Sequence, residues 1–259
     1  MSRIRATHAV AATLLAALAG AAVAQPPPPN NKEEQIRQAV ARADNQLLAY
    51  ATRQARSELQ PWIGESHPAV LVALGRILAQ EKSYGEAQNR LRQAAQMRPG
   101  DPAPRLFLGE VLRYVQQEGA AAAAYQEAER LARAQVQANP QNPWAHYHLG
   151  LALQGQRRWD ESANHLERAR QLMGGNVLPL YQLGVTRALQ EQWQPAFDLL
   201  SAAIARHPGI AYSYYYRGLV AGRVNRKDLT VNDLNRFLTM APNAPEAPRV
   251  QQVLRAAGR

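Results

Sequence analysis

His146 and His148, in the stretch PWAHYHLG, are the residues of this chain whose type and spacing first suggest a metal centre. On a helix a step of two sets side chains about 200° apart, so the pair cannot hold one ion unaided, and neither a metal nor a cofactor is expected. Glu33-Glu34 and Asp160-Glu161 could serve as paired acid and base. Both pairs fall where helices or turns should begin, and there negative charge complements the helix N-terminus. A phosphate-cradling glycine loop, a Gly-x-Ser-x-Gly elbow and a His-Glu-x-x-His zinc helix are all missing from the sequence, so no enzyme is expected. The conspicuous chemistry is aromatic instead. AYSYYYRGLV, residues 211–220, places Tyr212, Tyr214, Tyr215 and Tyr216 in five positions of a chain with 10 tyrosines. They could fill a core or build a surface that holds a partner.

Composition narrows the setting. The 259 residues carry a formal net charge of +10, almost wholly from arginine, since Lys32, Lys82 and Lys227 are the only lysines. The arginines are dispersed among glutamine and glutamate in stretches such as NRLRQ and LERARQ, the pattern of solvated helix faces, so no nucleic-acid partner is expected. With no cysteine there can be no disulfide, thiolate metal site or lipidated N-terminal cysteine. Arg3 and Arg5 precede the apolar run AVAATLLAALAGAAVA, which ends in Ala22-Val23-Ala24. Residues 1–24 therefore read as a secretory signal cleaved after Ala24, too short to span a bilayer and followed by a proline-rich spacer over 25–31. A periplasmic or secreted protein is expected, with no transmembrane segment in the mature chain.

The elements that must position these residues show themselves as a period. Leu74-Gly75, Leu108-Gly109, Leu149-Gly150, Leu183-Gly184 and Arg217-Gly218 follow one another at steps of 34, 41, 34 and 34 residues. Twelve residues after each glycine stands a small residue: Ala87, Ala121, Ser162, Ala196 or Thr230. An aromatic recurs nine residues after it at Tyr84, Trp159 and Trp193, and in the regular units a leucine follows the small residue by four, at Leu91, Leu166, Leu200 and Leu234. Pro99, Pro208 and Pro242 close three units, and Gly174 closes another. Each unit predicts helix, short polar turn, helix, stop. The long interval exceeds the others by about two helical turns and is placed in the second helix of its unit.

This pattern resembles the tetratricopeptide-repeat family. The resemblance covers about residues 68–244 and implies an all-α, right-handed α-solenoid of about five tetratricopeptide helical hairpins, at 68–101, 102–142, 143–176, 177–210 and 211–244. Terminal units of a solenoid must cover an apolar face, so residues 32–67 are expected to form an N-terminal capping region without repeat markers, and residues 245–259 a C-terminal capping helix.

In the family, fixed positions of the first helix line a concave groove. Carried onto this chain, they include Phe107, Tyr114, Trp144, Tyr147, His148, Tyr181, Tyr212, Tyr215, Tyr216 and Arg223 as partner-binding residues, whereas Tyr214 takes an inward position. Tyrosine, tryptophan and arginine are the residues that dominate interaction hot spots, and the competing reading of each ring is packing between repeats. The expected function is a non-enzymatic scaffold that binds a protein or peptide of the cell envelope. The alternative is a module that stacks its rings on a glycan such as peptidoglycan.

Overall fold

The computed structural model describes residues 31–257, so the expected signal segment with its cleavage point at Ala24, and most of the proline-rich spacer, lie outside the described residues. The described chain is helical throughout. Helices α1 (Asn31–Leu48) and α2 (Thr52–Leu59) are followed by a 3-10 turn over Gln60–Trp62. Five pairs come next: α3 (Pro68–Gln80) with α4 (Tyr84–Met97), α5 (Ala103–Tyr114) with α6 (Glu118–Ala138), α7 (Pro143–Gly155) with α8 (Trp159–Met173), α9 (Val177–Leu189) with α10 (Trp193–Arg206), and α11 (Ala211–Ala221) with α12 (Lys227–Met240). The last helix is α13 (Ala247–Ala257). Successive hairpins stack into an all-α solenoid, and none of the described helices is long and apolar enough to cross a membrane.

Local chemistry sets the helix ends. Pro68 and Pro143 occupy the first turn of α3 and α7, where a missing N–H costs nothing. The Asn142 side chain accepts from Trp144 N–H and Ala145 N–H at 3.1 and 3.2 Å, and Asn176 accepts from Leu178 N–H at 2.9 Å. Between the two helices of every hairpin one residue turns left-handed: Tyr50, Lys82, Gln116, Arg157, Glu191 and Asn225, all with φ between 59° and 65°. The residue after it donates its N–H five residues back, as in Ser83 to Leu78 at 2.8 Å and Gln192 to Arg187 at 2.9 Å, which closes the last turn of the first helix. None of the six is a glycine. Replacing exposed Glu191 by glycine should therefore raise stability by about 0.5–1 kcal/mol in urea unfolding, and an unchanged or lower midpoint would show that the turn is not strained.

The same beat extends further towards the N-terminus than the Leu-Gly markers do. Tyr50 sits seven residues after Ala43, as Lys82 does after Gly75, and the buried Ala55 and Leu59 stand 12 and 16 residues after Ala43. The region expected to be a cap without repeat markers is thus a sixth hairpin with alanine in the glycine position. Its second helix is short and ends in the 3-10 turn at Gln60-Pro61-Trp62.

The marker glycines are notches for the residue 16 positions on. A Cβ on Gly75, Gly150 or Gly184 would come within 2.7, 2.7 and 2.9 Å of the Cγ of Leu91, Leu166 and Leu200. Small residues at the intermediate position let the two helices approach, and buried Ser162 uses that closeness to donate to the Gly150 carbonyl at 2.8 Å. Gly150→Ala should cost about 1–3 kcal/mol, because the added methyl also meets the Leu166 backbone nitrogen at 3.3 Å. A denaturation midpoint equal to that of the unmodified chain would refute this packing.

In the long unit Tyr125 replaces the leucine, and its ring reaches both Gly109 and Gly155, the latter in the next hairpin. The extra turns lie in α6, 21 residues against 14 or 15 in the other repeat second helices. They pack on the following unit, with Ala132 and Val136 against Leu149 and Leu153. Outside this seam, Glu129 bridges Arg133 at 2.7 Å and Arg158 at 2.8 Å. Many of the dispersed arginines are spent in such surface pairs.

Candidate functional site

The first helices of the hairpins carry the residues expected to meet a partner, and the structure closes most of them in. Tyr147, Tyr181 and Tyr216 are 0% exposed, and Phe107, His148, Tyr212 and Tyr215 are also buried. Tyr114 and Trp144 are partly buried, and Arg223 is exposed. Packing between repeats, the competing reading of these rings, describes them in this structure. Repeat register fixes the direction in which a side chain leaves its helix. It does not say whether bulky groups from successive first helices meet, and here they do.

From α3 the buried Arg76 guanidinium pairs with Asp44 of α1 and lies 4.8 Å above the Phe107 ring of α5. Glu110 of α5 is fully buried beyond it. Tyr147, Tyr181 and Tyr216 continue the column through α7, α9 and α11, and burial drives each hydroxyl's pKa upward, with Tyr147 adding to the shift of Tyr181 and Tyr181 to that of Tyr216. Trp144 meets Tyr147 edge-on at 5.7 Å, and Tyr114 stacks on Tyr84 at 5.9 Å.

The tyrosine cluster of α11 divides opposite to expectation. Tyr212 and Tyr215 pack against Phe237 of α12, with ring centroids 5.2 and 5.1 Å away, and Tyr216 lies 5.1 Å from Tyr215. Tyr214 is the partly exposed one, beneath the Arg236 guanidinium at 6.0 Å. A signal for this was present in the stretch itself. Tyr212, Tyr215, Tyr216 and Val220 stand at i, i+3, i+4 and i+8, the buried stripe of an amphipathic helix, and Tyr214 is off that stripe. Arg223 caps the Trp193 ring at 5.1 Å.

The two histidines part as their spacing requires. His146 sets its Nδ1 3.0 Å from Nδ1 of His165 and its Nε2 3.1 Å from the Pro140 carbonyl. His148 lies among Trp144 and Tyr147, and burial pushes its pKa down to about 4 against the weaker pull of Asp101.

Three buried groups of this face keep unused hydrogen-bonding capacity among the described residues. The hydroxyls of Tyr114 and Tyr181 and both ring nitrogens of His148 have no hydrogen-bond partner there. One group that sequence reasoning missed acts on both of these tyrosines. Glu246, between unit five and α13, is 5% exposed, and its carboxylate accepts from the Tyr212 hydroxyl at 2.7 Å. Burial raises its pKa to about 7, opposed by that hydrogen bond and by its own backbone N–H. Its only mark in the sequence is a lone acid in the segment APNAPEAP.

No family model matches the chain, and no curated protein matches it. Solved structures do. A tetratricopeptide-repeat protein of Thermus thermophilus, TTC0263, is 16% identical over 74% of this chain and 98% of its own, with a TM-score of 0.55. The Cut9–Hcn1 assembly of the APC/C gives 17% identity over 88% of this chain and 44% of the matched one, with a TM-score of 0.53. The 34-residue beat, the glycine notches and the shared turn agree with that likeness: the chain folds as a tetratricopeptide-repeat solenoid.

Proposed function

We propose that this solenoid is a non-enzymatic scaffold of the cell envelope that binds an extended peptide or protein segment along its first-helix face. The observation that carries the reading is the set of orphaned polar groups at Tyr114, Tyr181 and His148. A buried group without a partner costs about 1–3 kcal/mol, and a peptide backbone offers the donors and acceptors that these three lack. The envelope setting rests on the signal-like residues 1–24, and the aromatic character of the face suits a partner anchored by rings and hydrogen bonds together.

The test is selection of binding peptides from a random library, followed by affinity measurement with Tyr114→Phe and Tyr181→Phe. These changes keep the rings and remove only the hydroxyls. Each should weaken selected peptides roughly five- to tenfold, corresponding to about 1 kcal/mol for one hydrogen bond. Equal affinity for the unmodified chain and the double variant would place binding elsewhere. Sedimentation with isolated peptidoglycan separates the glycan alternative, which predicts enrichment where the peptide reading predicts none.

A further inference from the structure

In the free chain the two ends of the solenoid meet across the face that the proposed function requires. Tyr50, at the turn of the first hairpin, lies 6.3 Å from Tyr212 of unit five. Leu48 of that turn belongs to the same apolar cluster as Tyr212, Tyr215, Tyr216, Phe237 and Val250, so the first hairpin, the fifth unit and α13 share one core. Glu246 stands at this junction and holds the Tyr212 hydroxyl at 2.7 Å. A carboxyl group in such a place is tolerable when neutral, and costly when charged.

We propose that Glu246 is a proton-controlled latch on the concave face: protonated, it keeps the first-hairpin turn, unit five and α13 together; ionised, it lets them part and uncovers the tyrosines. The uncovering of a binding surface rests on the function proposed above. The latch itself does not.

The surroundings of Glu246 fit this role. Its field reaches Tyr50 from the α1–α2 turn, Tyr84 from α4, Tyr114 from α5, Tyr181 from α9 and Tyr212, Tyr215 and Tyr216 from α11, and at each it opposes ionisation of the hydroxyl. On α13 itself Arg249 acts on Tyr215 with the opposite sign. These tyrosines stay neutral through the whole range in which Glu246 titrates, because burial moves them further up. Glu246, which burial moves to about 7, is therefore the group of this set whose charge changes near neutrality.

The absence of cysteine makes a direct test simple. Spin labels on Asn45→Cys and Asn243→Cys, both exposed positions near the junction, report the distance between the ends by pulsed electron resonance. In the otherwise unmodified chain the distances should be short at pH 4.5 and longer and broader at pH 8.5, with the change falling between about 4.5 and 7. Glu246→Gln should keep the short distribution at both values. Tyr212→Phe removes the hydrogen bond that favours the carboxylate in the closed form, so its open fraction at pH 8.5 should exceed that of the parent. Far-UV circular dichroism checks that each variant remains helical, and Tyr212→Phe supplies the directional test should Glu246→Gln fail to fold. Distances that ignore pH, or a Glu246→Gln chain that opens like its parent, overturn the latch. Likewise a Tyr212→Phe chain no more open than its parent at pH 8.5 overturns it. Affinity for the selected peptides at both pH values separates the two proposals: opening without any binding leaves the latch and removes the function, and binding without opening does the reverse.

Discussion

Asp44→Ala should destabilise the chain by about 3–5 kcal/mol, the loss expected when one member of a buried ion pair is removed and its partner stays behind. Arg76 is 0% exposed and sits on α3 between Asp44 of α1 and the Phe107 ring of α5, so one guanidinium joins three consecutive first helices. Alanine at position 44 takes away the carboxylate that faces it. Urea unfolding should show a midpoint shift several times larger than that of Glu127→Ala, whose partner Arg130 is largely exposed, so that solvent screens the pair. Removing both charges, as in Asp44→Ala with Arg76→Met, should restore much of the loss, because an apolar chain then fills the site without an uncompensated charge. A single Asp44→Ala within about 1 kcal/mol of the parent would mean that Arg76 draws its support from elsewhere.

What the sequence made legible was set by which interactions are local. The beat of glycine, small residue and leucine records the contact between two helices of one hairpin, over 12 to 16 residues, and it marks five of the six hairpins. The sixth escaped because Ala43 stands where glycine does elsewhere, though Ala55 and Leu59 hold their places. Polar turns were visible, but their left-handed residue was not, since Tyr50, Lys82, Gln116, Arg157, Glu191 and Asn225 share a conformation and no chemistry.

The candidate site was less legible for a related reason. Tyr147, Tyr181 and Tyr216 were assigned to the correct helices, yet their burial depends on neighbours about 34 residues away, and for Tyr50 and Tyr212 on residues some 160 apart. Such closure follows from the curvature accumulated over six hairpins, and each junction contributes a rotation that no local pattern encodes. Glu246 shows the consequence. In sequence it is one acid among prolines and alanines; in the fold it is nearly enclosed because the ends of the solenoid converge on it.

That enclosure gives the second large effect, which a pH series on the unmodified chain alone would understate. Glu246 has an ordinary value of 4.5 and is raised to about 7 in the folded state, so between these values the unfolded chain releases a proton that the folded chain keeps. Its contribution to stability is complete below about pH 4.5, falls as pH rises and is gone above about 7, a total near 3 kcal/mol at ~1.4 kcal/mol per unit. His148 runs the other way. Lowered from 6.5 to about 4, it contributes fully above pH 6.5 and loses that contribution as pH falls towards 4. The two slopes oppose each other between about pH 4.5 and 6.5, so together these two groups contribute little net slope there, and Glu246 alone weakens the chain as pH rises from about 6.5 to 7. Glu246→Gln removes one slope. Its stability should climb steadily from pH 4.5 to 6.5 as His148 dictates, and stay level above that. The difference between the two chains, read from urea unfolding at half-unit steps, should follow a single titration centred between the folded and unfolded values of Glu246. A difference that stays constant with pH would mean that the carboxyl group titrates normally, and that the ends of the solenoid do not enclose it.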